Sequence, residues 1–118
     1  MKKTYILAVC LLISLTGKLN AQTTGSIKGI AFDKAAEGPL AFVSVSLHLV
    51  KDSSSVDGLL TGSDGRFLFD GVKRGDYFVR LQFLGYETVE SSQISVTDNQ
   101  LTDLGHLELN VKIGRAYV

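Results

Sequence analysis

Cysteine is almost absent: Cys10 is the only one, and it lies in an apolar stretch near the start of the chain. A single cysteine excludes a disulfide within the chain and any zinc site built from several thiolates. Tryptophan is missing, and histidine occurs only at positions 48 and 106, neither in an H-x-x-E or H-E-x-x-H setting. Proline occurs once, at Pro39 in a turn segment, so no strand loses a backbone donor to it. Neither sign of charge dominates, with 12 basic and 12 acidic residues. Once the leader described below is removed, the surface is mildly acidic, which gives no electrostatic reason to bind nucleic acid or an anionic membrane face. No apolar run approaches the roughly 20 residues a helix needs to span a bilayer. The many serines include none in a G-x-S-x-G nucleophile elbow.

What is present begins with a leader. Lys2 and Lys3 form a positive start, and residues 5–15 are apolar except for Ser14. Polar residues 16–20 follow, and Ala21 is a small residue suited to the position before a cut. This is the layout of a secretory signal peptide spanning residues 1–21. Leu19, third before the cut, is larger than ideal. Cleavage removes Lys2, Lys3 and Lys18 from the 12 basic residues and leaves the 12 acids, a net charge of −3. It also removes Cys10, so the exported chain has no thiol. A lipoprotein box at residues 7–10 is disfavoured, because few apolar residues precede Cys10 and more follow it.

The remainder reads as short strands separated by turns, in one domain over residues 22–110 with a tail at 111–118. Residues 61–87 carry the clearest pattern. Tyr77, Val79, Leu81 and Phe83 alternate with the polar Arg80 and Gln82, the period of two that a half-buried strand requires. Asp64-Gly65 and Arg74-Gly75 place turn residues just before two strands. Further strands are expected at 25–33, with Ile27, Ile30 and Phe32 as apolar candidates, and at 41–49. Others are expected at 66–69, 87–90, 94–96 and 104–109, with a short one beginning at Leu59. Residues 52–58 read as a serine-rich loop, and Glu37-Gly38-Pro39 as a turn. No window outside the leader carries helical spacing over three turns. About seven strands in so short a chain indicate an all-β, seven-stranded sandwich. The expected core is Ile27, Val43, Val45, Leu47, Phe67, Phe69, Val79, Leu81, Phe83, Ile94, Val96, Leu107 and Leu109.

Five short motifs in fixed order carry a family resemblance. They are I-x-G-x-x-x-D (Ile27, Gly29, Asp33), G-P-L-x-x-x-x-V (Gly38, Pro39, Leu40, Val45), D-G-R-F-x-F (residues 64–69), R-G-D-Y (74–77) and L-G-Y-E (84–87). Across residues 25–109 the chain resembles the carboxypeptidase regulatory-like domain. The resemblance implies a transthyretin-like (prealbumin- or immunoglobulin-like) β-sandwich. It also implies the setting in which such modules stand in Bacteroidetes: the periplasmic N-terminus of TonB-dependent outer-membrane receptors, ahead of a plug and a barrel. Asn20-Ala21-Gln22 at the end of the leader resembles those proteins too. The expected location is therefore the periplasm or the periplasmic face of the outer membrane. Membrane association would run only through a barrel partner. No barrel-like sequence follows residue 110, so the expectation covers both a free-standing module and a truncated or fragmentary receptor copy.

No enzyme, cofactor or metal site is expected. His48 reads as a solvated strand residue, and His106 with Glu108 is too sparse for a metal. Asp64 and Asp70 read as turn chemistry, and Ser63, Asp64 and Asp70 lack the alternate spacing of a calcium loop. Binding remains. Phe42, Phe78 and Leu84 fall on faces opposite the expected core, and Tyr86 follows Gly85 at a strand end, so these four form a candidate partner-contact surface. An open sheet edge offers a second mode, strand addition. The expected role is a non-catalytic accessory module contacting a plug, a barrel or another periplasmic protein. The alternative is a carbohydrate-binding or adhesive sandwich, for which Tyr86 would be the stacking platform.

Overall fold

The structure, a computed structural model, describes residues 23–113. The leader, its cleavage site, Cys10 and Tyr117 lie outside the described residues. Nine strands and no helix make up the rest: β1 (Gly25–Asp33), β2 (Gly38–Pro39), β3 (Ser44–Leu49), β4 (Ser55–Leu60), β5 (Arg66–Val72), β6 (Gly75–Gln82), β7 (Val89–Glu90), β8 (Ile94–Val96) and β9 (Leu101–Leu109).

These strands form two sheets. In the first, β1 is central, with β5 and the two-residue β2 along one side and β9 along the other. In the second the order is β4-β3-β6, and β7 and β8 share the far side of β6. Since β2 continues the line of β5 and β7 that of β8, the sandwich has seven strand positions, as expected. All pairs are antiparallel except β1–β9, which is parallel, with Ile27 opposite Thr102 and Asp33 opposite Leu109. The chain therefore enters β1 at one end of the sandwich and leaves β9 at the other.

The alternation read from the sequence sets which side chains meet between the sheets. Val45 and Leu47 from β3, Val79 and Leu81 from β6, Phe67 and Phe69 from β5, and Ile27 and Leu109 are all buried. Each such side chain removed from water contributes roughly 1.5–3 kcal/mol. Phe67 and Phe69 meet edge to face, with ring centroids 6.0 Å apart.

Several expectations are corrected. Phe83 and Leu107 pack against the core only partly buried, and Ala31, Val72 and Tyr77 join it instead. On β1 the inward positions are Ile27, Gly29 and Ala31, so Ile30 and Phe32 face outward and are half-buried. The inward glycine has a steric cause. A Cβ on Gly29 would lie 2.7 Å from the Phe67 ring, so that ring occupies the space. Segment 52–58 is not simply a loop. Its second half is β4, which pairs along β3 from Ser44↔Leu60 to His48↔Ser55 with a bulge beside His48. His48 is not solvated: it is 6% exposed, its Nδ1 donates to the Ser53 carbonyl at 2.9 Å, and Nε2 meets Ser46 Oγ at 2.8 Å. The bulge and the serine-rich turn fold over the ring, which stacks on Phe78 at 5.0 Å. Strand β3 begins at Ser44 rather than residue 41, β7 begins at Val89, and Gly38 and Pro39, expected in a turn, form the two-residue strand β2 against the end of β1.

Candidate functional site

At the end of the sandwich where β9 finishes, five connections converge: residues 34–37, 40–43, 61–65, 83–88 and 110–113. Thr61 organises the second and third. Its buried hydroxyl accepts from the Val43 amide at 2.9 Å and donates to the Leu40 carbonyl at 2.9 Å. Backbone bonds from Phe42 N to Thr61 O and from Thr61 N to Val43 O complete the clasp. Held this way, Phe42 leaves the strand and adopts φ 60°, a left-handed conformation uncommon for a bulky residue. Its ring is 64% exposed.

Asp33 organises the first and fourth. One carboxylate oxygen accepts from the amides of Ala35 at 3.0 Å and Ala36 at 3.2 Å, closing the turn after β1. The other accepts the Tyr86 hydroxyl at 2.5 Å. The Tyr86 hydroxyl is the main cause that holds the Asp33 carboxyl below its ordinary value, with the Ala36 and Ala35 amides acting the same way against desolvation. The same bond, with burial and the Asp33 charge, raises the Tyr86 hydroxyl above its ordinary value. The tail is sewn to this loop as well. Glu87 N donates to Asn110 O at 2.8 Å, Lys112 N donates to Gly85 O at 2.9 Å, and Tyr86 bridges Val111.

This end collects apolar surface. Leu84, on the 83–88 connection, is 96% exposed; Ile113 is 82% exposed and, with exposed Val111, stands on the tail segment bonded to that connection. Leu60, opposite Ser44 at the start of β3, stands near Phe42. The structure thus brings Phe42, Leu84 and Tyr86 to one end and adds Leu60, Val111 and Ile113. Phe78 is not among them. It lies on the outer face of β6, half-buried between His48 and Arg80, whose guanidinium carbon is 5.7 Å from the ring centroid. Tyr86 is not a free platform either: it is half-buried, packs on Phe83 at 5.5 Å, and its hydroxyl is committed to Asp33. Leu60 and the tail residues carried no periodic signal, because their exposure comes from where the strands stop.

Two concavities lie elsewhere. One of about 430 Å³ sits over the outer face of β1 and β5, where Lys28 and Asp103 pair at 3.7 Å beside Ile30 and Leu68. Another of about 380 Å³ opens at the opposite end between Leu49, Val56, Asp70, Lys73 and Tyr77. Among the described residues no group of three or more His, Cys, Asp or Glu side chains is placed to hold a metal. His48 lies in the second sheet, while His106 stacks on Phe32 at 4.7 Å in the first.

Comparison with known families decides what this sandwich is. The model of the carboxypeptidase regulatory-like domain matches residues 26–110. The chain belongs to that family. The match runs from the second residue of β1 to the residue after β9. No curated protein matches the sequence.

Among solved structures, this carboxypeptidase regulatory-like domain is similar to the TIE protein of Bacillus anthracis, with TM-score 0.62 and 16% identity over 75% of this chain and 18% of that one. It is similar to GBS52, the minor pilin of Streptococcus agalactiae, with TM-score 0.60 and 18% identity over 79% of this chain and 47% of that one. It is also similar to 5-hydroxyisourate hydrolase of Klebsiella pneumoniae, with TM-score 0.57 and 16% identity over 76% of this chain and 98% of that one. At such identities the fold alone is shared, a transthyretin-like sandwich used by pilus proteins and by enzymes. The chain spans less than half the length of the TIE and pilus proteins it matches.

Proposed function

We propose that this domain is a non-catalytic accessory module, exported behind a signal peptide of residues 1–21 to the periplasm or the periplasmic face of the outer membrane. There it docks a plug, a barrel or another periplasmic protein of the TonB-dependent receptor type, on the same polypeptide or another. It meets the membrane only through that partner and has no role with nucleic acid. The observation that carries this reading is the apolar end, where Phe42 and Leu84 stand exposed on loops held by Thr61 and Asp33. Apolar side chains on a preorganised rim favour docking, because little ordering entropy remains to be lost. The polar groups at that end support it too. The Asp33 carboxylate and the Tyr86 hydroxyl are committed to holding the loops together. A sugar platform would require the Tyr86 ring to be free, and it is packed.

A photo-crosslinking residue at position 42 or 84 in exporting cells tests the reading. The expected adduct is with an outer-membrane receptor, in its plug or barrel portion, and it is absent when the probe stands at exposed Asp57. A folded, exported chain that gives no adduct at 42 or 84, or the same adducts at 57, overturns it.

A further inference from the structure

The first and last long strands of the domain lie side by side and run the same way. Seven register pairs join them, from Ser26↔Leu101 to Asp33↔Leu109, with one irregularity at Gly105. The ladder is extended at both ends. Asn99 N donates to Thr24 O and Ser26 N to Gln100 O, each at 2.9 Å, before the first pair, and Lys34 N donates to Leu109 O at 3.2 Å after the last. Side chains tie the same two strands on the outer face, through the Lys28–Asp103 ion pair and the Phe32–His106 stack. Inward, Ile27, Ala31 and Leu109 are fully buried, so both strands are also gripped by the core.

Direction makes this arrangement mechanical. The chain arrives at the start of β1 and departs from the end of β9, at opposite ends of the sandwich. Tension between the two attachment points pulls β1 one way along its axis and β9 the other. Evenly spaced parallel ladder bonds are then loaded together rather than one after another. Had β9 run antiparallel to β1, both connections would leave from one end, and the same tension would open the pairs singly.

We propose that the domain is a load-bearing link, in which tension between the segments before residue 25 and after residue 109 is carried as shear along the β1–β9 ladder. The inference concerns the β1–β9 geometry: once the leader is removed, the N-terminal hold falls on residues 22–24 and whatever partner grips them, so it stands or falls separately from the docking surface.

The test uses the full chain with Cys10→Ser and handles on pairs of engineered cysteines at exposed positions, stretched in optical tweezers at one loading rate. Thr23→Cys with Lys112→Cys loads the ladder in shear. Thr23→Cys with Asp98→Cys pulls the same ladder open from one end, and Gln100→Cys supplies that axis if the Asp98→Cys chain does not fold. The expected result is an unfolding force several-fold higher along the shear axis, with thermal midpoints of the two chains alike. Equal forces on the two axes, or a lower force in shear, overturn the proposal.

Discussion

The Tyr86 hydroxyl donates to Asp33 Oδ2 at 2.5 Å across 53 residues of sequence, joining the end of β1 to the loop after β6. With the Thr61 hydroxyl it ties the two sheets together at the apolar end, and it makes that end sensitive to pH from both sides. Asp33 is depressed below its ordinary 3.8, so its stabilisation is fully present above that value and is lost as pH falls through the lower, folded-state one. Tyr86 is raised above its ordinary 10.0, so its stabilisation is present below that value and is lost as pH rises through the higher, folded-state one. Tyr86→Phe should therefore lower the thermal midpoint at neutral pH, flatten the fall on the alkaline side and weaken the fall on the acid side. Thermal melts of both chains from pH 3 to 11 measure it, and parallel profiles would refute the coupling.

Thr61→Val keeps the shape of a buried side chain and removes both of its hydrogen bonds. The Val43 amide and the Leu40 carbonyl would lose their side-chain partner, at a cost of about 1–3 kcal/mol. Urea denaturation should show that loss, and limited proteolysis should show new cutting near Phe42. An unchanged midpoint would mean that backbone bonds alone hold the clasp.

Two glycines at positive φ should respond differently to alanine. Gly65 has φ +78°, and its added Cβ would lie 2.7 Å from the Ala31 carbonyl oxygen and 2.9 Å from Pro39 Cβ. Gly71 has φ +65° with nothing within 4 Å. Gly71→Ala should cost about 1–2 kcal/mol from backbone conformation alone, whereas Gly65→Ala should cost clearly more, because two chain segments must also move. Equal losses on chemical denaturation would contradict this packing.

Leu81→Asp places a carboxylate at a fully buried position between the sheets and should unfold the domain, a loss of more than about 4 kcal/mol. Its neighbour Arg80 points outward to Glu90 at 2.7 Å, and Arg80→Leu should cost no more than about 1 kcal/mol. Circular dichroism and a melt of each variant read the contrast, and a folded Leu81→Asp chain would mean that the register of β6 is shifted by one.

The period-two segments were legible in the sequence, because a strand with one buried face writes its burial directly into its residues. Val45, Leu47, Val79, Leu81, Phe67 and Phe69 all face the core as their alternation requires. What failed lay where another strand, rather than the residue itself, decides the environment. Ile30 is more apolar than Ala31, yet Ala31 faces inward, since β1 keeps Ile27, Gly29 and Ala31 on one face and the Phe67 ring from β5 fills the inward space at Gly29. His48 reads as polar and exposed, but the bulge in the β3–β4 pairing folds the serine turn over it. Of the candidate surface, Phe42 and Leu84 were legible as large apolar residues off the core pattern. The partnership of Tyr86 with Asp33 was not, because no local periodicity links residues so far apart. Nor was the parallel pairing of the terminal strands, which only the assembled topology shows.

That pairing also sets an order of assembly. Ile27 waits for Thr102, so β1 spends synthesis with one side bare, and most of the domain must exist before its central strand is fully bonded. Contacts this distant in sequence form slowly, because loop closure precedes their reward. A nascent chain lacking residues 101–109 would present the unpaired side of β1 to any other strand it met.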